Sequence, residues 1–362
     1  MLQRIINGLL VLAPVALFLE LSGVGGHSSV FVVSALAMVP LAAVLGRATE
    51  QAAIYTGPKI GALLNATLGN AAELIITIIA LREGLDEVVK ASIAGSIIGN
   101  ILVVLGASLL LGGLKHGTQT FDRATAATNA TLMALAVIAL LIPAVFALGS
   151  VGGKSEEGGV RRPSEKDIEF LSDGMAVVLI VLYGLYLLYT LRTASSSHAG
   201  DEGHHAEAPT MRLPVAIAIL AGSTIAIVVM SEILVGVIEP TAADWGLTEL
   251  FIGVMLIPLV GNIAEHLVAV QVALQNKMDL SLGIALGSGL QIALFVTPVL
   301  VLAGAVMGQP ITLVFNSYEL MALIGAALIA IFISQDGESN WLEGAELLGL
   351  YVILGLAFYF VP

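Results

Sequence analysis

LGNAAELIITI, residues 68–78, reads as a membrane-spanning segment except at Asn70 and Glu73. VGNIAEHLVAV, residues 260–270, repeats the intrusion with Asn262 and Glu265. In each stretch the amide precedes the carboxylate by three residues, so the two side chains share one face of a helix. Glu265 follows Glu73 by 192 residues, and the same offset pairs Gly69 with Gly261, Asn70 with Asn262 and Ala72 with Ala264. It continues into the next helix, pairing Gly95 with Gly287 and Ser96 with Ser288, and extends upstream to Ile60–Gly61 and Ile252–Gly253. One constant offset across two successive helices marks an internal duplication.

The rest of the chain sets the solvent for these residues. Its 362 residues are 58% hydrophobic and 11% charged, with a mean hydropathy of +1.00, whereas soluble domains are about one quarter charged. The chain is therefore an integral membrane protein. A net charge of −13 argues against nucleic acid as a partner and suits a cationic ligand. There are no cysteines, which excludes disulfides, thiolate metal sites and cysteine nucleophiles. The N-terminal apolar run follows Arg4 and lacks a convincing small-residue cleavage site, so it reads as a first helix rather than a signal peptide.

Apolar segments of roughly 20 residues recur along the chain. They predict an all-α polytopic protein with about eleven spans, at 4–22, 29–46, 54–81, 88–112, 124–149, 170–191, 213–238, 247–275, 280–306, 311–333 and 341–361. No alternating ten-residue strands of a β-barrel are visible. Two connections are longer: a Gly-rich, mixed-charge loop at 150–167, and a Ser-, His- and acid-rich linker near the centre at 195–209. The expected organisation is an N-terminal helix (1–28), a first five-helix repeat (29–192), a polar linker (193–212) and a second five-helix repeat (213–362). Because five is odd, the second repeat must enter the membrane in the opposite sense. Inverted repeats of this kind are characteristic of secondary transporters, whose binding sites lie near the midplane between repeats. The Lys/Arg distribution weakly favours a cytoplasmic N-terminus and an external C-terminus, in what is expected to be a prokaryotic plasma membrane.

A carboxylate at the centre of a spanning helix costs roughly 2.5–3.5 kcal/mol on insertion scales. Two at matching depth make sense if they face each other across a cation or carry protons. Gly69 and Gly261, just before the motifs, can interrupt the helix and free backbone carbonyls where it lines a cavity. The following helices add Ser92, Ser96 and Asn100, spaced four apart, and Ser288 with Gln291, with Ser281 a heptad earlier. Carboxylate, amide and hydroxyl oxygens are what a hard cation such as Ca²⁺ takes, six to eight at a time, whereas softer metals call for Cys or clustered His. Single Ser and Asn residues in spanning helices are more often interhelical glue, and the glycines are equally explained by close packing. The duplicated glutamates resist that reading. His266 points about 100° from Glu265 on an ideal helix, which favours packing over a ligand or proton role, and no HExxH motif is present. Asp122, Asn129, Asn316 and Glu319 stand at span entrances and read as interfacial.

On these residues the chain resembles the Ca²⁺/H⁺ antiporters of the cation/Ca²⁺ exchanger superfamily. The match is GNAAELIITI (69–78) with GSIIGNILVVLG (95–106), and GNIAEHLVAV (261–270) with GSGLQIALFVTP (287–298). The resemblance covers essentially the whole chain. It implies that Glu73 and Glu265 are the central ion- and proton-binding carboxylates, supported by Asn70, Asn262, Ser96, Ser288 and Gln291. The family often has Ser where this chain has Gly99, while Asn100 is retained. The acidic loop of some relatives is reduced here to Asp201, Glu202 and Glu207 among histidines. Sodium/calcium exchangers usually place Thr-Ser and Pro around the glutamate, and this chain has Gly-Asn-Ala-Ala and Gly-Asn-Ile-Ala, which favours protons as the counter-ion.

The expected function is exchange of Ca²⁺ for H⁺ by alternating access. Desolvation disfavours a charged carboxylate and a bound divalent cation favours it, so the two loads compete for the same pair of glutamates. Ca²⁺ and H⁺ are then transported ions, and no cofactor and no enzymatic activity are expected. A Na⁺-coupled or broader divalent-cation exchanger (for example of Mn²⁺) of the same fold is the nearest alternative, followed by a cation channel.

Overall fold

A computed structural model describes residue 6 and residues 8–151, 163–197 and 209–361. Parts of the 150–167 loop and most of the 195–209 linker fall outside the described residues. The described chain is almost entirely helical, with α1 Leu12–Ser22, α2 Gly26–Leu68, α3 Ala71–Arg82, α4 Asp86–Gly99, α5 Leu105–His116, α6 Arg123–Val151, α7 Glu165–Ser197 and α8 Leu213–Gly236. It continues with α9 Ile238–Trp245, α10 Glu249–Phe251, α11 Ile257–Gly261, α12 Ile263–Ala273, α13 Met278–Gln291, α14 Thr297–Met307, α15 Ser317–Ile333 and α16 Trp341–Tyr359. Three π-helical turns join neighbouring helices: π1 Asn100–Val104, π2 Ile252–Leu256 and π3 Ile292–Val296. Two-residue strands β1 (Gln119–Thr120) and β2 (Glu338–Ser339) pair antiparallel.

Among the described residues seven helices are long and apolar enough to cross a membrane, or eight if the bent pair 238–245 and 249–261 counts as one span. The other predicted spans are present as shorter or interrupted helices. The boundary expected between 46 and 54 lies instead at Gly57, where φ 80° and ψ 169° break α2. RATEQAA (47–53) is polar enough to suggest a loop, yet Ala, Glu and Gln are strong helix formers, and Thr49 returns its hydroxyl to Leu45 O at 3.0 Å.

The chain divides into two compact units. Unit 1 comprises Met1–Ile79 and Val181–Trp245; unit 2 comprises Ala80–Ile180 and Gly246–Pro362. Each unit therefore draws on both halves of the sequence duplication. In unit 1, α2 packs along α8 and also meets α1 and α9. Phe31 and Trp245 stack edge to face at 5.4 Å. The segment entering α8 is pinned to α2: Gln51 Oε1 accepts the Thr210 N–H at 2.8 Å and Tyr55 donates to Met211 O at 2.7 Å.

Unit 2 is built on close helix crossings. A Cβ on Gly95 of α4 would lie 2.1 Å from Val254 O and 2.6 Å from Pro258 Cγ, and one on Gly253 would lie 2.6 Å from Ala91 Cβ. Reciprocal glycines thus bring α4 against π2 and α11. Gly106 and Gly344 do the same for α5 and α16, since a Cβ on Gly344 would lie 2.6 Å from Gly106 O. Small residues at such crossings allow the backbone approach that drives helix association in lipid.

Three helix starts in unit 2 are capped by Asn or Asp side chains. Asn316 and Asn340 each form a capping box, with Glu319 and Glu343 respectively reaching back. Asp122 caps α6 by accepting the Thr125 N–H at 2.8 Å, and these hydrogen bonds from Thr125 hold its carboxyl below the usual range. Asn340→Ala is expected to destabilise the protein by about 1 kcal/mol, the ordinary value of an N-cap, read as a lower unfolding midpoint in detergent. Asp122 is exposed, whereas Glu319, also expected to be interfacial, is only 1% exposed. A carboxylate spaced for the capping box is drawn under the first turn, where α15 packs on α4.

Candidate functional site

The duplicated motifs occupy helix interruptions. In the first copy the helix ends at Leu68 and resumes at Ala71, with Gly69 and Asn70 forming the turn between them. In the second, Asn262 leaves helical geometry at φ −88°, ψ 10°, between α11 and α12. The glycines do not supply a positive φ: Gly69 keeps φ −56°. What Gly69 supplies is room, because a Cβ there would lie 2.6 Å from Asn65 O. Each break leaves the glutamate in the first turn of a fresh helix, Glu73 in α3 and Glu265 in α12. A helix N-terminus carries a partial positive charge that favours an anionic side chain, which partly offsets the penalty of a carboxylate in an apolar segment.

Asn70 and Glu73 belong to unit 1 and are 2% and 5% exposed. Thr77, one turn beyond Glu73, donates to Glu73 O at 2.6 Å. This hydroxyl went unremarked in the sequence because Thr is unexceptional in a spanning helix.

The remaining candidates belong to unit 2. Ser92, Ser96 and Asn100 are all buried along α4 and its junction with π1. Asn100 Nδ2 donates to the Ser288 hydroxyl at 3.1 Å, which joins the two duplicated serine helices directly. Asn100 Oδ1 and both polar atoms of the Asn262 side chain are buried with no hydrogen-bond partner among the described residues. Buried amide oxygens are normally satisfied, so Asn100 Oδ1 and Asn262 Oδ1 are acceptor positions available to a cation. Glu265 and Gln291 are half-buried, Gly261 and Gly287 buried. His266 Nε2 is buried without a hydrogen-bond partner among the described residues. Ser281, by contrast, donates to Ala269 O at 3.0 Å and ties α13 to α12 structurally. Among the described residues no three His, Asp or Glu side chains are grouped as a metal centre, so within unit 2 the oxygen donors are largely amide and hydroxyl.

The duplication extends to backbone features that residue types do not announce. Leu105 N–H donates to Asn100 O and Thr297 N–H to Ile292 O, each five residues back and 192 residues apart. These π-turns widen the helix just after Asn100 and Gln291, as such bulges do at functional sites. Their causes differ locally. Pro298 has no N–H to return to Leu294, and Thr297 reaches Ile292 O with its hydroxyl at 2.8 Å. The turn after α3 is duplicated too: Gly84 at φ 79° has its counterpart in Asn276 at φ 61°. Asn tolerates the left-handed conformation best after Gly.

Interrupted, oxygen-bearing helices in an apolar, duplicated chain define a transmembrane cation-exchanger fold, and the chain belongs to the sodium/calcium exchanger protein family, matched over residues 27–192 and 215–360. It is 46% identical to a Ca(2+)/H(+) antiporter of Aphanothece halophytica over 99% of this chain and 97% of that one. It is 42% identical to the Ca(2+)/H(+) antiporter ChaA of Bacillus subtilis over 91% of each. The solved structure of native YfkE superposes with a TM-score of 0.81 at 38% identity, covering 98% of this chain and 100% of that one.

Proposed function

We propose that this protein exchanges Ca²⁺ for H⁺ across a membrane by alternating access. The observation that carries the reading is the helix break bearing Asn-x-x-Glu, present twice at a spacing of 192 residues, in a chain whose full-length relatives are Ca(2+)/H(+) antiporters. Glu73 and Glu265 bind Ca²⁺ or protons in turn. Asn70, Asn262, Asn100, Ser96, Ser288 and Gln291 complete the oxygen set, and Ser92 and His266 lie in supporting positions. Gly69 and Gly261 let the breaks form.

Competition follows from charge. With Ca²⁺ bound, two carboxylates are neutralised; with both protonated, they are neutral again. Either loaded form crosses an apolar barrier more readily than the empty dianion, which suppresses leak. Movement of one set of helices against the other about the site supplies alternating access. The inverted second repeat and a cytoplasmic N-terminus with an external C-terminus complete the proposed topology, and no cofactor is required.

In proteoliposomes with no sodium present, a pH gradient alone is expected to drive saturable radiocalcium uptake that collapses when the gradient is dissipated. Uptake that requires a Na⁺ gradient instead overturns the proton-coupled reading. Competing Mn²⁺ and Mg²⁺ in the same assay define the cation range.

A further inference from the structure

Glu319 is a buried carboxyl outside the exchange site, and its surroundings in unit 2 give it work beyond capping a helix. Its Oε2 accepts the Asn316 N–H at 2.8 Å, completing the capping box in which Asn316 Oδ1 accepts the N–H groups of Tyr318 and Glu319 at 2.9 Å each. Its Oε1 is buried and has no hydrogen-bond partner among the described residues. The chain contains its own control. In the second capping box Glu343 accepts the Asn340 N–H with Oε2 and the Asn340 side-chain amide with Oε1, so both oxygens are used. A glutamine serves the capping box as well as a glutamate. Capping therefore accounts for one oxygen of Glu319 and leaves the other, with its charge, unexplained.

Two ionisable groups on the neighbouring α4 bear on Glu319: the cationic Lys90 and the acidic Glu87. Lys90 Nζ is paired with Glu87 Oε1 at 2.5 Å, and its side chain is 13% exposed against 63% for Glu87. One largely buried cation thus serves two carboxylates. When Lys90 is engaged with Glu87, the buried Glu319 carboxylate lacks the full compensation that burial of a charge demands. The other charged residues carried by α4 and α10 are Asp86 and Glu249, both acidic. Of the other elements packed on α15, π1 has no titratable residue, and α6 has only Arg123, at its far end beside Gly337. On these described elements Lys90 and the distant Arg123 stand against the carboxylates of Asp86, Glu87 and Glu249.

Water reaches the turn that immediately precedes the group. A cavity of about 470 Å³ is lined by Glu87, Thr248, Glu249, Asn316, Ser317 and Tyr318, which includes the three residues immediately preceding Glu319 and the partner of Lys90. We propose that Glu319 is a proton-exchanging group of unit 2, taking a proton from the water of this cavity at Oε1 and returning it there, with Lys90 as the counter-charge when the proton leaves. The step is a simple transfer. An O–H bond forms at Oε1 as hydronium becomes water, and its reversal leaves a carboxylate facing the Lys90 ammonium. This role rests on the Ca²⁺/H⁺ reading above for its purpose, since a proton-coupled exchanger needs groups that deliver protons at its mouths, but the protonation itself does not.

The test uses the full-length protein with Glu319→Gln, which keeps the capping oxygen, and Lys90→Gln. Infrared difference spectra of the calcium-free protein across pH are expected to show a protonated-carboxyl band that Glu319→Gln removes and Lys90→Gln retains with a displaced titration. In proteoliposomes, Glu319→Gln is expected to shift the pH of half-maximal proton-driven uptake by about half a unit or more, with the KM for Ca²⁺ within about twofold. Identical infrared titrations for wild type and Glu319→Gln overturn the proposal. A lost band with an unchanged pH profile of transport also overturns it, reducing Glu319 to a protonated cap. Failure of the wild type to couple Ca²⁺ to a pH gradient overturns the exchange reading instead, and the infrared arm still decides Glu319.

Discussion

Vesicles carrying Glu265→Gln are expected to take up no more radiocalcium under a pH gradient than protein-free vesicles, and Glu73→Gln is expected to match them. Glutamine keeps the size and one oxygen of glutamate but carries no charge and accepts no proton in this pH range. Two properties are lost together. A cation in a poorly solvated site loses one of its compensating charges, a loss of about 3–5 kcal/mol by analogy with breaking a buried ion pair, or roughly two to four orders of magnitude in affinity. The return of the carrier also loses one of its proton sites, so even residual binding is not converted into exchange. The effects of the two substitutions are not additive. The double variant is expected to be no worse than either single one, as is usual for groups acting as a unit. Size-exclusion profiles and helical content should match the wild type, because each glutamate sits in the first turn of its helix and glutamine is a comparable helix former. Substantial proton-driven uptake by either variant would remove these residues from the centre of the mechanism.

Gly95→Ala is expected to destabilise the protein strongly, while the same change at Gly287, its counterpart in the duplication, is expected to be tolerated. A methyl on Gly95 would stand 2.1 Å from Val254 O, whereas one on Gly287 meets nothing within 4 Å. The obstruction at Gly95 is backbone and the ring of Pro258, neither of which can rotate aside, so α4 must move away from π2 and α11. Overpacking of this kind costs about 1–3 kcal/mol, and the displaced helix carries Ser96 and Asn100, so exchange should fall as well. At Gly287 the same substitution replaces a helix-interior glycine and is expected to be neutral or to stabilise by about 0.5–1 kcal/mol. Unfolding midpoints of the two variants in the same detergent give the comparison directly. Equal midpoints would contradict the asymmetry of the packing.

That contrast marks how far reading the residues reaches. The candidate site was legible because polar residues in an apolar chain are conspicuous, and because a single offset matched Asn70 to Asn262, Glu73 to Glu265 and Ser96 to Ser288. The predicted break near each motif is also present, although Asn262 rather than Gly261 departs from helical geometry. Four features were not legible. Thr77 and the π-turns depend on hydrogen bonds to backbone carbonyls, which any sequence offers everywhere. The α2 boundary was misplaced because polarity suggested a loop where helix propensity prevailed as far as Gly57. Glu319 looked interfacial because its position near a span end was visible and the packing of α15 on α4 was not.

The sequence by itself determined the solvent, the helical class, the duplication and the residue types of the candidate site, because these depend on composition and spacing, which survive without coordinates. The tertiary structure decided which equivalent positions are equivalent in practice. Gly95 is closed in by a neighbouring backbone and Gly287 is not. Duplication copies residues along a chain, but contacts are made with whatever lies across the fold, and the two halves are not surrounded alike.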